Sequence, residues 1–309
     1  MSKTVLSVQS HVVHGYVGNR AAVFPLQLRG WDVDNLNTVQ LSNNTGYGTW
    51  KGTKATATEI QDVYDGLKQA GFEYDAFLTG YVPSAEGVQV IGEIGKDIKK
   101  RFPKAIWVLD PVMGDDGKLY VSEAVIPIYK DILKQCDVTL VTPNGFEAEL
   151  LTGIVPDSVE NIKKIIKYFH EQYKVPNVII SSVSLPGSSE LWAIGSSIDS
   201  TPFYFTFPAL EGYFTGTGDL FAALTVDRYH KYTVEEPSQT PLQNTLQEVL
   251  SVMYGVLKNT QEFAVSQGIS GISNRGVPEA MKKLELRIIQ SRDILLNSTS
   301  ISYTPHRLD

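Results

Sequence analysis

The chain has 309 residues, 42% of them hydrophobic, which is enough to bury the core of one large α/β domain. Its formal net charge of -7 at pH 7 argues against a broad basic surface for nucleic acid or anionic lipid. No apolar run approaches the roughly 20 residues of a membrane span, and the single cysteine, Cys136, cannot form an intrachain disulfide, which favours a reducing compartment. We expect a single domain over residues 1–309 in a soluble intracellular protein of the cytoplasm, with the nucleus left open and with neither nucleic acid nor membrane as a partner.

Short apolar runs rich in β-branched residues predict strands. In chain order they lie at 4–9, 75–81, 105–110, 138–143 and 177–182. Longer segments with helical spacing separate them, so the sequence predicts an α/β fold with a mostly parallel central sheet and helices on both faces. Such sheets bind ligands outside the carboxyl ends of their strands, and the polar motifs should lie there.

Two of the separating segments have the pattern of amphipathic helices. In segment 58–71 the apolar residues fall on one face, and Thr58 with Gln61 has the spacing of a capping box. Segment 158–173 has its apolar residues on one face in the same way.

The second half of the chain contains an edge pair and a loop. Segments 188–197 and 201–208 predict an antiparallel pair at one edge of the sheet. The stretch 231–244, rich in Pro, Ser and Gln, predicts a loop or insertion between two helices. Nothing in the sequence requires a second domain.

The stretch Gly216-Thr217-Gly218-Asp219 places two glycines and an acid before an apolar helix. The first N–H groups of a helix lack intrahelical partners and carry partial positive charge, so they can hold an anion that glycines let approach closely. This arrangement suits the charge that develops on a transferred phosphoryl group, with Asp219 as the candidate general base for an alcohol. A structural alternative fits the same residues, with Thr217 capping the helix and Asp219 stabilising its dipole.

Acidic residues follow two other predicted strands. Asp110, Asp115 and Asp116 offer the hard oxygens that suit Mg²⁺ or a monovalent cation beside phosphates, although Asp-Asp-Gly is also common turn chemistry. Asn144 and Glu147 have the spacing of a capping box, and the Glu147 carboxylate could also order a metal-bound water. Both acidic groups therefore have a structural and a functional interpretation.

Several common site types do not fit. No stretch matches a Walker A loop, and the first strand is not followed by G-x-G-x-x-G, which disfavours P-loop and dinucleotide-binding folds. His11 and His14 have no third metal ligand nearby in the sequence, which disfavours a zinc site. The loop 42–50, with Tyr47 and Trp50, either covers a planar ligand or only stabilises itself.

Seven motifs occur in a fixed order and together span most of the chain: SVQSHVVHGYVGNRAAVFPLQ, VQLSNNTGYGTWKG, LTGY, LDPVMGD, TPNGFEAELLTG, GTGDLFAAL and LELRIIQS. With these motifs the chain resembles the pyridoxal kinases of the ribokinase-like superfamily. GTGD alone indicates only a small-molecule kinase, whereas the opening motif and NNTGYG make the resemblance specific.

The resemblance implies ATP-dependent phosphorylation of the 5′-hydroxymethyl group of pyridoxal, and of pyridoxine and pyridoxamine, to give pyridoxal 5′-phosphate in vitamin B6 salvage. It implies that Asp219 activates this hydroxyl group and that Gly216, Thr217 and Gly218 form the anion hole. It also places five other residues at the substrate: Ser10, Val17, Leu41, Thr45 and Tyr81.

On the nucleotide side, the resemblance implies ATP contacts from Asp110, Asn144, Glu147, Ser181, Ser182 and Thr217. It implies cation contacts, for Mg²⁺ and a potassium-like monovalent ion, from Asp115, Thr142 and Glu147, with Ser181 nearby. Segment 112–121 resembles the family's flexible loop that closes over the phosphates, and a homodimer is expected. The resemblance assigns no adenine contacts in 184–212, and Asn44 stands where relatives often carry histidine.

Three other functions compete with this interpretation. A hydroxymethylpyrimidine kinase would share the fold and the GTGD chemistry. A noncatalytic vitamer or nucleotide carrier would keep the pocket without turnover, and the intact Asp219, Asp115 and Glu147 argue against it. An enzyme that uses pyridoxal 5′-phosphate would need a Schiff-base lysine, and no lysine lies in a matched pocket motif.

Overall fold

The fold is given by a computed structural model that describes residues 3–198, 200–269, 277–297 and 303–309. Its main strands are β1 (Lys3–Val12), β2 (Trp31–Leu41), β3 (Gly52–Lys54), β4 (Ala76–Thr79), β5 (Ile106–Leu109), β8 (Leu140–Val141), β9 (Asn177–Ser184), β10 (Glu190–Ser197), β11 (Phe203–Pro208) and β12 (His306–Arg307). Within the described residues these form one ten-stranded sheet of order β12-β11-β10-β9-β8-β5-β4-β1-β2-β3. A separate hairpin pairs β6 (Gly114–Asp115) with β7 (Lys118–Leu119).

The centre of the sheet is parallel. Strands β2, β1, β4, β5, β8 and β9 run in the same direction, and Val5 of β1 pairs with Val33 on one side and Ala76 on the other. Residues 5–10 of β1 are all buried, as a strand covered on both faces requires. Because β2 lies on one side of β1 and β4 on the other, the strand order reverses at β1. Its carboxyl end is therefore the switch point at which open α/β sheets bind ligands.

Helices cover both faces of the sheet, which confirms the predicted fold class. They are α1 (Asn19–Leu28), α2 (Ala57–Gln69), α3 (Ala85–Arg101), α4 (Val125–Gln135), α5 (Gly145–Thr152), α6 (Val159–Glu171), α7 (Thr217–His230), α8 (Pro241–Ser266), α9 (Pro278–Lys283) and α10 (Arg292–Leu296). Helices α2 to α6 share one core with Phe77 and Trp107, and α1, α7, α8 and α10 share the other with Leu78 and Val108. Neighbouring residues of β4 and β5 thus point to opposite cores, as the strand period requires. Among the helices in the described ranges, none is long and apolar enough to cross a membrane.

The predicted edge pair is confirmed. Strands β10 and β11 are antiparallel neighbours, and β12 adds to the outer side of β11. The sequence reasoning did not identify β2, although it pairs with β1 along most of its length. Polar residues interrupt β2 throughout, and no two consecutive residues of this strand are apolar.

The predicted loop at 231–244 was wrong over most of its length. Lys231–Glu235 continues α7 as a π-helical turn, and α8 begins at Pro241. Side chains hold this turn in place, because the Tyr232 hydroxyl donates to the carboxylate of Glu248 in α8. Its composition resembles that of a loop, but these tertiary contacts override it.

The start of α2 also differs from the prediction. The capping box joins Thr56 and Glu59, not Thr58 and Gln61. The Thr56 N–H donates to Glu59 Oε2 at 2.7 Å, and the Glu59 N–H donates to Thr56 Oγ1 at 3.2 Å. Helix α2 therefore starts at Ala57, because only the Thr56 pair combines a hydroxyl acceptor with a returning carboxylate.

Candidate active site

The N-terminus of α7 is open toward the carboxyl edge of the sheet. Gly216 occupies the N-cap position with φ +80°, and no side chain caps the helix. The structural alternative for Thr217 is thus wrong, because Thr217 is the first helical residue and does not supply the cap. Without a capping oxygen, the first N–H groups of α7 are available to an anion.

The segment Tyr16–Gly18 packs directly on this helix end. A Cβ atom added to Gly216 would lie 1.9 Å from the Tyr16 carbonyl oxygen, so only glycine allows this approach. A Cβ added to Gly18 would lie 2.1 Å from the Ser10 carbonyl oxygen and 2.3 Å from its Oγ. The structure therefore brings together Ser10, the helix end and the segment between them.

Ser10 lies at an irregularity in the pairing of β1 with β2. Gln9 pairs with Asn37 and His11 pairs with Gln40, so Ser10 faces two residues of β2 where a regular ladder would give one. Such bulges change the direction of a side chain relative to the sheet and are common beside active sites. Ser10 is buried at this point.

Asp219 lies in the first turn of α7, beside Gly18. Burial raises the pKa of the Asp219 carboxyl, and the Gly18 N–H lowers it in part because it favours the ionised form. The predicted general base and the predicted anion hole are therefore on one helix turn, in a setting that makes the carboxylate more basic than in water.

Apolar residues form a small cluster at the same edge. It contains Val12, Val39 and Leu41, with the partly buried Val17 and Tyr81 packed against them. Three of the predicted substrate residues, Val17, Leu41 and Tyr81, are thus brought together. Thr45 is not part of this cluster; it lies exposed in the short 3₁₀ turn Thr45–Tyr47 that follows β2.

A buried acid follows β5 and faces α7. A Cβ added to Gly218 would lie 3.6 Å from Asp110 Oδ2, which places this carboxylate next to the anion hole. Burial and the negative charges of Glu147 and Asp219 hold the pKa of Asp110 well above its usual range. The nearby Thr142 hydroxyl favours the ionised form of Asp110. At strict hydrogen-bond geometry, however, the Thr142 hydroxyl has no partner among the described residues.

Asn144 and Glu147 connect α5 to the hairpin. Their capping box is confirmed, with the Asn144 N–H donating to Glu147 Oε2 at 2.9 Å and the Glu147 N–H donating to Asn144 Oδ1 at 2.9 Å. Glu147 Oε1 also accepts from the Met113 N–H at 2.9 Å, and the Asn144 amide donates to the Gly114 carbonyl at 2.8 Å. Burial raises the pKa of Glu147 to about 8, in opposition to these N–H donors. The nearby Asp115 charge raises it further.

The predicted closing loop is a hairpin with a two-residue turn. Asp116 and Gly117, with φ of +49° and +72°, connect β6 to β7 in the manner of a type I′ turn. Asp115 is exposed on this hairpin, and the Tyr120 N–H donates to the Met113 carbonyl at 2.8 Å. The hairpin is thus anchored at its base and exposed at its tip. Closure over phosphates remains a prediction.

Ser181 and Ser182 lie on β9 beyond the point where β8 ends. The Ser181 N–H donates to the Pro143 carbonyl at 2.9 Å, and Ser182 has a φ of +53°. They face the same carboxyl edge as Thr142. In the ranges that the structure describes, no three His, Cys, Asp or Glu side chains are grouped as a metal site.

Sequence reasoning missed Glu285. This residue belongs to the motif LELRIIQS, which supported the resemblance but received no role. Its carboxylate accepts hydrogen bonds from the Tyr16 N–H and the Asn44 side chain, both of which lie beside the candidate site. These partners are separated from it by 269 and 241 positions, so no local pattern could have paired them.

Comparisons with known proteins agree with this geometry. A sequence model of the family described as "Phosphomethylpyrimidine kinase" matches residues 40–240. The pyridoxal kinase of Ovis aries is 38% identical over 304 residues, covering 93% of each chain, and that of Homo sapiens is 37% identical over 308 residues, covering 94% of each. The structure of a pyridoxal kinase from Leishmania donovani in complex with ADP and pyridoxamine superposes with a TM-score of 0.85 at 34% identity, covering 98% of this chain and 99% of that one. The chain belongs to the pyridoxal kinase family, with the ribokinase-like fold.

Proposed function

We propose that this protein transfers the γ-phosphoryl group of ATP to the 5′-hydroxymethyl group of pyridoxal, yielding pyridoxal 5′-phosphate. Pyridoxine and pyridoxamine are proposed as further acceptors, in vitamin B6 salvage. The observation that carries the proposal is the juxtaposition of Asp219, the open N-terminus of α7 and Ser10 at the carboxyl end of β1. The Leishmania donovani relatives in complex with ADP and either pyridoxine or pyridoxamine support both ligand classes.

The substrate ring would lie at the carboxyl end of β1. Ser10 offers a hydroxyl group for a ring hydrogen bond, and the apolar cluster of Val17, Leu41 and Tyr81 offers flat packing surface. Thr45, on the turn that follows β2, would contact the vitamer from the solvent side. The combination of apolar walls with few polar groups is typical of sites for small planar ligands.

Asp219 would accept the proton of the attacking hydroxyl group. Its raised pKa suits a general base that works near neutral pH, because a carboxylate with an ordinary pKa has less driving force to take a proton. The N–H groups around Gly216, Thr217 and Gly218 would stabilise the negative charge that develops on the phosphoryl oxygens. Both groups are rigidly held by one helix turn, so little reorganisation accompanies the reaction.

The nucleotide would occupy the adjoining strand ends. Residues proposed to contact it are Asp110, Asn144, Glu147, Ser181, Ser182 and Thr217. A cluster of buried acids with raised pKa values, next to an anion hole and the unpartnered Thr142 hydroxyl, fits a cation that sits between protein and phosphates. Asp115, Thr142 and Glu147 would hold Mg²⁺, and a potassium-like ion would bind nearby. When bound, these ions would neutralise phosphate charge during transfer.

Further features are part of the same proposal. The hairpin within segment 112–121 would close over the phosphates, with Tyr120 moving along with it. We also propose that residues 1–309 act as one catalytic domain, that the protein is a homodimer, and that it works in the cytoplasm. Each rests on the resemblance to the family.

The experiment that tests the proposal is steady-state ATP consumption with purified protein and pyridoxal, in the presence of Mg²⁺ and K⁺. The product is identified by its absorbance and mass, and we expect phosphorylated pyridoxal. Binding of pyridoxal without turnover would refute the proposal in favour of a carrier. Because the matched family model is described as a phosphomethylpyrimidine kinase, hydroxymethylpyrimidine is assayed in parallel. A higher kcat/KM for that alcohol would reassign the substrate.

A further inference from the structure

One carboxylate outside the proposed catalytic set connects two segments beside the site. Glu285 Oε2 accepts from the Tyr16 N–H at 3.0 Å. Glu285 Oε1 accepts from the Tyr47 hydroxyl at 2.9 Å and from Asn44 Nδ2 at 3.2 Å. A Cβ added to Gly15 would lie 2.5 Å from Glu285 Oε1, so a side chain at position 15 would clash with this carboxylate.

The support for Glu285 is rigid. Its neighbours Leu284 and Leu286 are buried, at 3% and 0% exposure, so the backbone on either side of Glu285 is fixed by the core. Two residues after Glu285, the Arg287 N–H donates at 3.0 Å to the hydroxyl of Thr260 in α8. Thr260 is itself fully buried. A side chain held in this way can impose a position on its partners.

The backbone that Glu285 holds leads directly to the reacting groups. The Tyr16 N–H is bonded to Glu285, and the Tyr16 carbonyl abuts Gly216 of the anion hole. Two residues later, the Gly18 N–H faces Asp219 and favours its ionised form. On the other side, Asn44 Nδ2 also donates to Thr215 Oγ1 at 3.3 Å, immediately before the anion hole.

We propose that Glu285 is a positioning residue for phosphoryl transfer, and that its carboxylate fixes the Tyr16–Gly18 segment against Gly216 and Asp219. The inference rests on the proposed function and adds a residue that contacts neither substrate. The role requires an acceptor on both sides, because both oxygens receive donors. A glutamine at this position would present an NH₂ group to one of these donors.

Several charged or titratable groups face the carboxylates of Glu285 and Asp219. Burial raises the pKa of Glu285, while the Tyr16 N–H, the Tyr47 hydroxyl and the nearby His14 favour its ionised form. Asp110 faces Asp219 across the anion hole. If Glu285 no longer holds the segment, the Gly18 N–H loses its position and the pKa of Asp219 rises, because that N–H stabilises the charged form.

The test compares Glu285→Gln and Glu285→Asp with wild type in the same ATP and pyridoxal assay. Glu279→Gln is the matched control, since Glu279 is an exposed acid on the neighbouring helix α9 that forms an ion pair with Lys283. We expect Glu285→Gln to lower kcat/KM by about 10- to 100-fold, the size of effect that a displacement near 1 Å produces. The acidic limb of its pH profile should move to higher pH, and Glu285→Asp should recover part of the loss.

Hydrogen exchange supplies a readout that does not depend on turnover. Amides of residues 13–18 should exchange faster in Glu285→Gln than in wild type, while those of the central strands stay unchanged. The inference would be overturned if Glu285→Gln had the same kinetics, pH profile and amide exchange as wild type. It would also be overturned if turnover were lost while amide exchange at residues 13–18 stayed unchanged. If Glu285→Gln does not fold, Tyr47→Phe, which deletes one donor to Glu285, is measured against the same outcomes. Lack of turnover in wild type would count against the proposed function alone, and the exchange comparison would still decide the inference.

Discussion

Replacement of Gly216 by alanine tests whether the contact between Tyr16 and α7 forms the active site. Two costs follow from the structure. The φ of +80° at Gly216 costs alanine about 1–2 kcal/mol, because a Cβ atom disfavours the left-handed region. The added Cβ would also lie 1.9 Å from the Tyr16 carbonyl oxygen, whereas carbon and oxygen normally meet at about 3.3 Å. One of the two segments must therefore move by roughly 1.4 Å, the difference between these distances.

Gly153 provides a control that carries only the first cost. It ends α5 with a φ of +77°, and a Cβ added there would meet nothing within 4 Å. Both variants should lose about 1–2 kcal/mol in the free energy of unfolding from backbone strain, and Gly216→Ala should lose more because of the displacement. Only Gly216→Ala should lower kcat, by about 100-fold, since reacting groups tolerate little misplacement.

Urea denaturation gives the free energies of unfolding, and the ATP assay with pyridoxal gives kcat at saturating substrate. Both are measured on the two variants and on wild type. A kcat for Gly216→Ala within threefold of that for Gly153→Ala would refute the reasoning. This result would mean that the segment Tyr16–Gly18 can move away from α7 without slowing the reaction.

Three further predictions follow from the acids. Asp219→Ala should lower kcat by about 100-fold or more with little change in melting temperature, and near wild-type turnover would reduce Asp219 to a helix-terminal acid. The pKa of Glu147 rises from 4.5 to about 8 on folding, so the native state retains a proton that the unfolded chain releases, and stability should fall as pH increases across this window. Glu147→Gln should make that fall shallower in denaturation curves recorded between pH 4.5 and 8; an unchanged slope would mean that Glu147 does not titrate there. Asp110→Asn should strengthen ATP binding in Mg²⁺-free calorimetry at alkaline pH, where an ionised Asp110 would place a negative charge beside the anion hole; weaker binding would place Asp110 away from the phosphates.

The strand-end residues could be predicted because the relevant physics is local. The spacing of Asn144 and Glu147 at the end of a predicted strand indicates a capping box, and the structure contains one. The glycines before Asp219 likewise indicate a close approach, and the structure identifies the approaching group as the Tyr16 carbonyl. The parallel sheet follows from apolar runs alone, since strands buried on both faces have few polar positions.

The rest depends on contacts between distant parts of the chain. Glu285 reaches Tyr16 across 269 positions, and nothing in either local sequence specifies the other. The π-helical turn Lys231–Glu235 is held by Glu248 from the next helix, against a loop-like composition. Thr217 failed as a cap because the tight approach of Tyr16 requires glycine at the N-cap position, and that requirement appears only when the two segments meet.

The site therefore combines attraction and repulsion toward one ligand. Backbone N–H groups at the start of α7 attract phosphate, although the chain as a whole is acidic. Asp110, Glu147 and Asp219 lie close enough for Asp110 to respond to the other two charges, and in their ionised forms they would repel the same phosphates. We expect both properties to be satisfied when the nucleotide binds together with cations. A site with fewer acids would bind bare ATP, so we infer that these carboxylates make binding selective for the metal-bound nucleotide, while Asp219 remains available to take the proton.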